Sequence, residues 1–149
     1  FRWIGFIMAA FPDAKIIHVK RDARATCWSI FKQYFSLNGN GYAYDLGDLS
    51  HYYRMHMDLM DFWKARYADR IYTLSYEALT ENQQEETRKL LQYAGLEWED
   101  ACLSFHENAR AVRTASTQQV HKKMYTGSSK EWEAYAEFLS KPLKALEGL

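Results

Sequence analysis

The sequence predicts an α/β domain in which short parallel strands are flanked by helices. The apolar runs at 16–19 and 71–76 have the length and composition of strands. Before, between and after them, apolar residues recur at the three- and four-residue spacing of helices. Strands that alternate with helices favour parallel pairing, because the intervening helices carry the chain back across the sheet.

Composition predicts one packed domain over residues 1–149, with 48% hydrophobic residues. The formal net charge is zero, so we expect no general attraction to nucleic acid or to a membrane. The two cysteines lie far apart in apolar patterns, which is typical of reduced core thiols. No apolar run approaches a membrane span, and we expect a cytoplasmic protein. Because the sequence starts at Phe1 within a helical pattern, we also expect a fragment of a longer protein.

The first helix is predicted over residues 1–10, with Trp3 among its inward side chains, and Pro12 closes it. A buried strand follows at 16–19, and Asp22 has the position of a helix N-cap. The next helix is predicted to continue to Phe35. Its inward side chains are expected to be Cys27, Ile30, Phe31 and Tyr34.

Arg21 is placed by this pattern at the carboxyl end of the first strand, where ligands bind in α/β sheets. Its planar guanidinium is suited to two oxygens of a phosphate group. Ser29 is turned by about 200° from Cys27 around the helix, so it is free to donate to the same anion. From residue types alone, a surface ion pair with Asp22 and a solvated Ser29 are the favoured alternative.

Residues 36–50 are rich in glycine and predict a surface loop. In the sharper alternative, Tyr42 and Tyr44 help to cover an acceptor site. A helix is predicted from 50 to 67, with a methionine and aromatic stripe that is typical of a core. His51 and His56 lie five residues apart, which is wrong for one helical face, so we assign no metal.

The second strand, 71–76, is predicted to pair with the first, so that Tyr76 and Glu77 lie near Arg21. The Tyr76 ring is either a stacking surface for a purine or a core side chain. Thr80 and Gln83 have the spacing of a capping box, and Gly95 is a helix stop.

The last third of the sequence contains a polar segment between two predicted helices. A short helix is predicted at 98–106, and a closing helix with Phe138 inward and a break at Pro142 is predicted at 131–149. Residues 110–130 are rich in hydroxyl groups and cations. Composition alone makes that segment a solvated loop or a weak phosphate patch.

The segment Arg21-Asp-Ala-Arg-Ala-Thr-Cys-Trp-Ser29 resembles the part of the sulfotransferases that binds the 3′-phosphate of their donor, 3′-phosphoadenosine 5′-phosphosulfate (PAPS). The resemblance covers nearly the whole chain and is greatest to the tyrosylprotein and TPR-linked bacterial branch. Four further stretches follow in the family's order: Phe11-Pro-Asp-Ala-Lys-Ile-Ile-His, Ser75-Tyr-Glu-Ala-Leu79, Gln92-Tyr-Ala-Gly-Leu-Glu-Trp98 and Arg113-Thr-Ala-Ser-Thr-Gln-Gln-Val120.

This resemblance implies a three-layer, P-loop-like sulfotransferase fold, of which the chain is the C-terminal portion. It implies that Arg21 and Ser29 hold the 3′-phosphate and that Tyr76 lies by the adenine. Ser116 and Lys130 match a serine and a lysine of the family's C-terminal donor loop. Glu131 separates Lys130 from the next aromatic residue, where the family often has none between, so the register of that match stays open.

The family's phosphosulfate-binding loop and catalytic base have no counterpart in this sequence, so we assign no catalytic residue. We therefore expect part of a PAPS-dependent sulfotransferase, inactive by itself, whose acceptor is a protein tyrosine or a carbohydrate hydroxyl. The alternative is a non-catalytic module that binds adenosine 3′,5′-bisphosphate (PAP) or another nucleotide. Both hypotheses predict a small-molecule nucleotide partner, without nucleic acid, membrane or metal.

Overall fold

The computed structural model describes residues 1–35, 39–107 and 122–148. It has a mixed α/β architecture with short parallel strands flanked by helices, which confirms the predicted class. In chain order the elements are α1 (Ile4–Ala10), β1 (Ile16–Lys20), α2 (Ala23–Phe31), α3 (Leu46–Arg66), β2 (Ile71–Ser75), α4 (Tyr76–Glu81), α5 (Gln83–Ala94) and α6 (Ala136–Leu139). Short 3₁₀ segments occupy Gly41–Tyr44, Ala68–Arg70, Asp100–Glu107, Ser128–Tyr135 and Lys144–Leu146.

Within the described residues, the sheet consists of β1 and β2 in parallel register, from Ile16 beside Ile71 to Lys20 beside Ser75. This pairing confirms the predicted parallel arrangement. Parallel strands end at the same edge of a sheet. The residues that follow them, Arg21 and Tyr76, therefore leave the sheet side by side.

The prediction of a buried first strand holds for one face of β1 only, where His18 is buried and Ile16 and Lys20 are partly buried. His18 faces α3 and is 8% exposed, whereas Ile17 and Val19 on the other face are 45% and 54% exposed. On that second face α5 packs over β2, where the rings of Tyr93 and Tyr72 stack at 5.1 Å. The Tyr93 hydroxyl also donates to the Ile16 carbonyl of β1 at 3.5 Å, but the Ile17 and Val19 side chains stay exposed.

Helix α2 begins as predicted, since the Asp22 carboxylate accepts from the Ala25 N–H at 2.7 Å. The helix ends at Phe31 rather than at the predicted Phe35. The prediction that Tyr34 points inward is wrong, because this side chain lies beyond the helix and is 78% exposed. Cys27 is fully buried.

Helix α3 is the long central helix, and its apolar stripe contributes to two clusters of buried residues. The larger cluster joins α2 and α3 to the C-terminal segment, and the smaller one joins α1 and α3 to the sheet. Asp45 caps α3, accepting from the Asp48 N–H at 2.9 Å, so the helix starts four residues before the predicted Ser50. The predicted burial of Trp3 is wrong, because its side chain is 64% exposed at the N-terminal end of α1.

The predicted capping box is also wrong, because Thr80 lies inside α4. Ser75 caps that helix directly at the end of β2, accepting from the Ala78 N–H at 3.2 Å. The Thr80 hydroxyl donates to the Glu77 carbonyl at 2.9 Å instead. Gly95 ends α5 with a φ of 77°, which confirms the predicted stop.

The C-terminal segment does not form the single helix that the sequence predicts. It consists of two 3₁₀ segments and the short α6, and the chain turns at Pro142 as expected. Phe138 is 76% exposed, so its predicted burial is wrong. Leu139, Leu143 and Leu146 are buried instead and anchor the segment against α2 and α3. No helix among residues 1–35, 39–107 and 122–148 is long and apolar enough to cross a membrane.

Candidate functional site

Arg21 and Tyr76 meet at the carboxyl edge of the sheet. The guanidinium carbon of Arg21 lies 4.9 Å from the centre of the Tyr76 ring, which is cation–π geometry. Ser29, two turns into α2, is exposed and lines the same cleft. The structure thus brings together three residues that the sequence predicted for one site.

This cleft has a volume of about 270 Å³ and is rich in cations, and we call it the cationic cleft. Its charged lining is Arg21, Lys32, Lys122, Lys123 and Glu131. Lys32 and Glu131 pair at 3.1 Å and balance each other, which leaves the other three cations in excess. In a chain of zero net charge, this concentration makes the cleft a local site for an anion.

Arg21 is attached to the turn that opens the C-terminal segment. Its Nη2 donates to the Ser128 carbonyl at 2.6 Å, and its Nε donates to Ser129 Oγ at 3.2 Å. The hydroxyls of Tyr76 and Ser128 are 3.0 Å apart. On the opposite side, the Tyr53 hydroxyl donates to the Arg21 carbonyl at 3.0 Å. The guanidinium is therefore held in place before any ligand binds.

Glu77 lies beside this group and is half-buried. Its Oε1 accepts from the Asp22 N–H at 3.0 Å and from the Ser129 hydroxyl at 2.5 Å. Burial disfavours the charged form, but these hydrogen bonds and the charge of Arg21 outweigh burial and lower the pKa of Glu77 below its usual value. Glu77 is consequently an ionised acceptor at neutral pH.

A second cleft of about 350 Å³ adjoins the first and also includes Arg21, Ser29 and Tyr76. We call it the aromatic cleft, because Phe1, Tyr42, Tyr52, Tyr53 and His56 supply most of its remaining lining. The rings of Tyr42 and Tyr52 stack at 4.2 Å. Tyr44 does not line either cleft among the described residues, and its hydroxyl instead bonds the backbone of Phe35.

His56 of the aromatic cleft contacts the buried His18, with their Nε2 atoms 3.1 Å apart. Burial, the neighbouring His56 and the positive charge of Lys64 and Lys20 lower the pKa of His18 to about 4. Burial and the same two lysines also lower the pKa of His56. Both imidazoles are therefore neutral at pH 7. The described residues contain no group of three or more side chains arranged to hold a metal ion.

The two remaining predicted site residues are Lys130 and Ser116. Lys130 follows Ser129 directly, but its side chain is exposed and does not line either cleft as described. Ser116 lies outside the described residues.

Sequence reasoning placed Glu77 near Arg21 but missed its contact with Ser129, and it missed the contribution of Lys32 to this site. Lys32 could have been found, because it follows Ser29 by three residues, at the C-cap of α2, and so faces the same way. The contact of Glu77 with Ser129 spans 52 residues of sequence, and no local pattern encodes it.

Comparison with known proteins gives a family and two relatives. The model of the sulfotransferase family matches residues 1–100. An uncharacterized protein of Aquifex aeolicus is 35% identical over 99% of this chain and 20% of its own length. A protein-tyrosine sulfotransferase of Drosophila melanogaster is 30% identical over 69% of this chain and 21% of its own length. The chain thus spans about a fifth of the length of either relative.

Proposed function

The chain belongs to the sulfotransferase family, and on that premise we propose that it is the donor-holding part of a PAPS-dependent sulfotransferase. In this proposal Arg21 and Ser29 hold the 3′-phosphate of PAPS, and Tyr76 lies against the adenine. The sulfuryl group passes to a hydroxyl acceptor. Membership of the tyrosylprotein and TPR-linked bacterial branch, and a C-terminal position in the catalytic domain, are parts of the same proposal.

The observation that carries this proposal is the convergence of Arg21, Ser29 and Tyr76 on the cationic cleft. A nucleotide with a 3′-phosphate needs a cation with several donors, a hydroxyl donor and an aromatic surface within a few ångströms. Among the described residues, Nη1 of Arg21 has no hydrogen-bond partner, which leaves that end of the guanidinium for phosphate oxygens. Lys122 and Lys123 add positive charge in the same cleft.

In sulfuryl transfer, the acceptor oxygen forms a bond to sulfur while the bond from sulfur to the phosphate oxygen of the donor breaks, and a base takes the acceptor's proton. The residues of this chain bind and orient the leaving nucleotide. We assign the base and the phosphosulfate loop to parts of the protein outside this chain. On this assignment the isolated chain binds the donor nucleotide but does not transfer the sulfuryl group.

Ser116 and Lys130 remain proposed donor contacts. Lys130 lies directly after Ser129, whose hydroxyl accepts from Arg21. The long side chain of Lys130 starts at the border of the cationic cleft, within reach of a phosphate bound there. Ser116 enters the proposal from the family resemblance alone.

The acceptor that we propose is a protein tyrosine, with a carbohydrate hydroxyl as the alternative. The name of the Drosophila relative, a protein-tyrosine sulfotransferase, supports tyrosine. The aromatic cleft supports it as well, because a phenol ring packs well on aromatic side chains such as Tyr42 and Tyr52. A carbohydrate would need more polar partners than this lining offers.

Calorimetric titration tests the proposal, with PAP as ligand and adenosine 5′-phosphate as the matched control that lacks the 3′-phosphate. We expect PAP to bind more tightly, because Arg21 and Ser29 contact only the 3′-phosphate in this assignment. Equal affinity for the two nucleotides would contradict the assignment.

A non-catalytic module that binds PAP is the second candidate function, and the zero net charge with a local cluster of cations at the cationic cleft suits it equally. An assay of radiolabelled transfer from PAPS, run on the full gene product with a tyrosine peptide and an oligosaccharide, separates the two candidates. The enzyme labels one acceptor, and the module labels neither.

A further inference from the structure

Glu77 contacts the proposed phosphate site without lining it. It lies at the start of α4, directly after Tyr76, and is not among the described residues that line either cleft. Its carboxylate accepts two hydrogen bonds through the same oxygen, from the Asp22 N–H and from the Ser129 hydroxyl. A carboxylate this close to an anion site is unexpected, because its charge repels the ligand.

The hydrogen bonds of Ser129 explain what this carboxylate can do. A serine hydroxyl has one proton, and here the 2.5 Å contact assigns that proton to Glu77. The oxygen of Ser129 therefore presents a lone pair to the Nε of Arg21, which donates to it at 3.2 Å. Because the Ser129 proton points towards Glu77, the Ser129 oxygen is left as an acceptor for the Nε–H of Arg21.

A second pair of contacts completes the orientation of Arg21. Nη2 donates to the Ser128 carbonyl at 2.6 Å, and the guanidinium lies over the ring of Tyr76. Nε and Nη2 lie on one edge of the planar group, so fixing them determines where Nη1 points. The Asp22 N–H bond ties the same carboxylate to the turn that carries Arg21.

We propose that Glu77 is a positioning residue for Arg21, and that it acts through the hydroxyl of Ser129. The carboxylate fixes the hydroxyl, and the hydroxyl aims the guanidinium for a phosphate group. The proposal rests on the proposed function, in which Arg21 binds the 3′-phosphate. The lowered pKa of Glu77 agrees with it, because the ionised carboxylate is the stronger acceptor.

Positioning and charge repulsion predict opposite changes in the affinity for PAP when the Glu77 carboxylate is removed. If the carboxylate acted only through its charge, Glu77→Ala would tighten PAP, since a negative charge would leave the neighbourhood of the anion. If it positions Arg21, Glu77→Ala loosens PAP. The isosteric Glu77→Gln keeps an oxygen that can accept both hydrogen bonds, so it should restore binding.

The experiment measures the dissociation constant of PAP by calorimetry for the purified full chain and its variants. We expect Glu77→Ala and Ser129→Ala to raise it by about threefold to tenfold, as for one lost hydrogen bond. The double variant should bind PAP no more weakly than the weaker-binding single variant, because both substitutions interrupt the same chain of hydrogen bonds from Glu77 through Ser129 to Arg21. Glu77→Gln should stay within about twofold of the original chain. The matched control is Glu81→Ala at the exposed end of α4.

Tighter or unchanged PAP binding by Glu77→Ala would overturn the proposal, provided that thermal unfolding shows the variant to be folded. Ser129→Ala leaves the Asp22 contact intact, so it gives the same test if Glu77→Ala fails to fold.

Proton exchange at Arg21 Nε separates this proposal from the proposed function. In ligand-free chain, NMR should show faster exchange of that proton in both alanine variants than in the original chain. If Arg21→Ala leaves PAP binding unchanged, the proposed function fails, yet the exchange rates still test the positioning. Unchanged exchange in both variants would overturn the positioning whatever the nucleotide does.

Discussion

The two clefts share Arg21, Ser29 and Tyr76 but are built from different parts of the chain. The cationic cleft combines α2 with residues 122–131, more than 90 positions later in the sequence. The aromatic cleft draws much of its lining from α3 and the turn before it. One side of the shared trio therefore suits an anion, and the other suits an apolar ring.

Different forces hold the two clefts together. The cationic cleft depends on charge and on hydrogen bonds that the turn at Ser128 and Ser129 completes. The aromatic cleft depends on packed rings, such as the stacked pair Tyr42 and Tyr52, and on the contact between the two neutral histidines. Substitutions that change charge should therefore affect the cationic cleft. Protonation of His18 or His56 should affect the aromatic cleft.

Arg21→Ala should break the cationic cleft and have the largest effect. We expect it to weaken PAP binding by a few kcal/mol, as is typical of a charge-assisted, bidentate contact. Calorimetry with PAP and with adenosine as the uncharged control checks this, and adenosine should change little. Arg21→Lys keeps the charge but loses the planar guanidinium, so its affinity for PAP should lie between those of the original chain and Arg21→Ala. Unchanged affinity for PAP would remove Arg21 from the site.

Acid should break the packing at the aromatic cleft. Burial lowers the pKa of His18 from 6.5 to about 4, so the unfolded chain binds a proton in this window that the folded chain does not. Stability is therefore fully present above pH 6.5 and is lost as the pH falls towards 4, by about 3 kcal/mol for a shift of this size. Urea unfolding at pH 7.5, 5.5 and 4 measures it.

His18→Gln is the matching variant for this prediction, and it should flatten the pH dependence of unfolding. His51→Gln, at an exposed position of α3, should leave that dependence unchanged. The groups that face His18 and keep it neutral are His56, Lys64 and Lys20. An identical pH dependence in the original chain and in His18→Gln would contradict the assignment.

Ser29→Ala should have the smallest effect, because one hydroxyl contributes on the order of 1 kcal/mol. Calorimetry should show PAP binding weakened by that amount, while the affinity for adenosine 5′-phosphate should not change. A loss as large as that from Arg21→Ala would indicate that α2 itself had shifted, which far-UV circular dichroism and thermal unfolding would detect.

Much of the local structure could be predicted because it depends on near neighbours. The Asp22 cap, the stop at Gly95 and both strands were expected from a few adjacent residues, and the structure confirms them. The two wrong predictions of burial, at Trp3 and Phe138, share one cause. The spacing of Trp3 and Phe138 shows which side chains lie on one helical face, but not whether another element covers that face.

The class of fold, the parallel strands, and the positions of Arg21 at a strand end and of Ser29 on the next helix could all be predicted from the sequence. These follow from helical and strand periodicity, which acts within a few residues. Three contacts could not be predicted: His18 with His56, Glu77 with the Ser129 hydroxyl, and Arg21 with the turn at Ser128. Such contacts join residues 38 to 107 positions apart, and their existence depends on how whole elements dock.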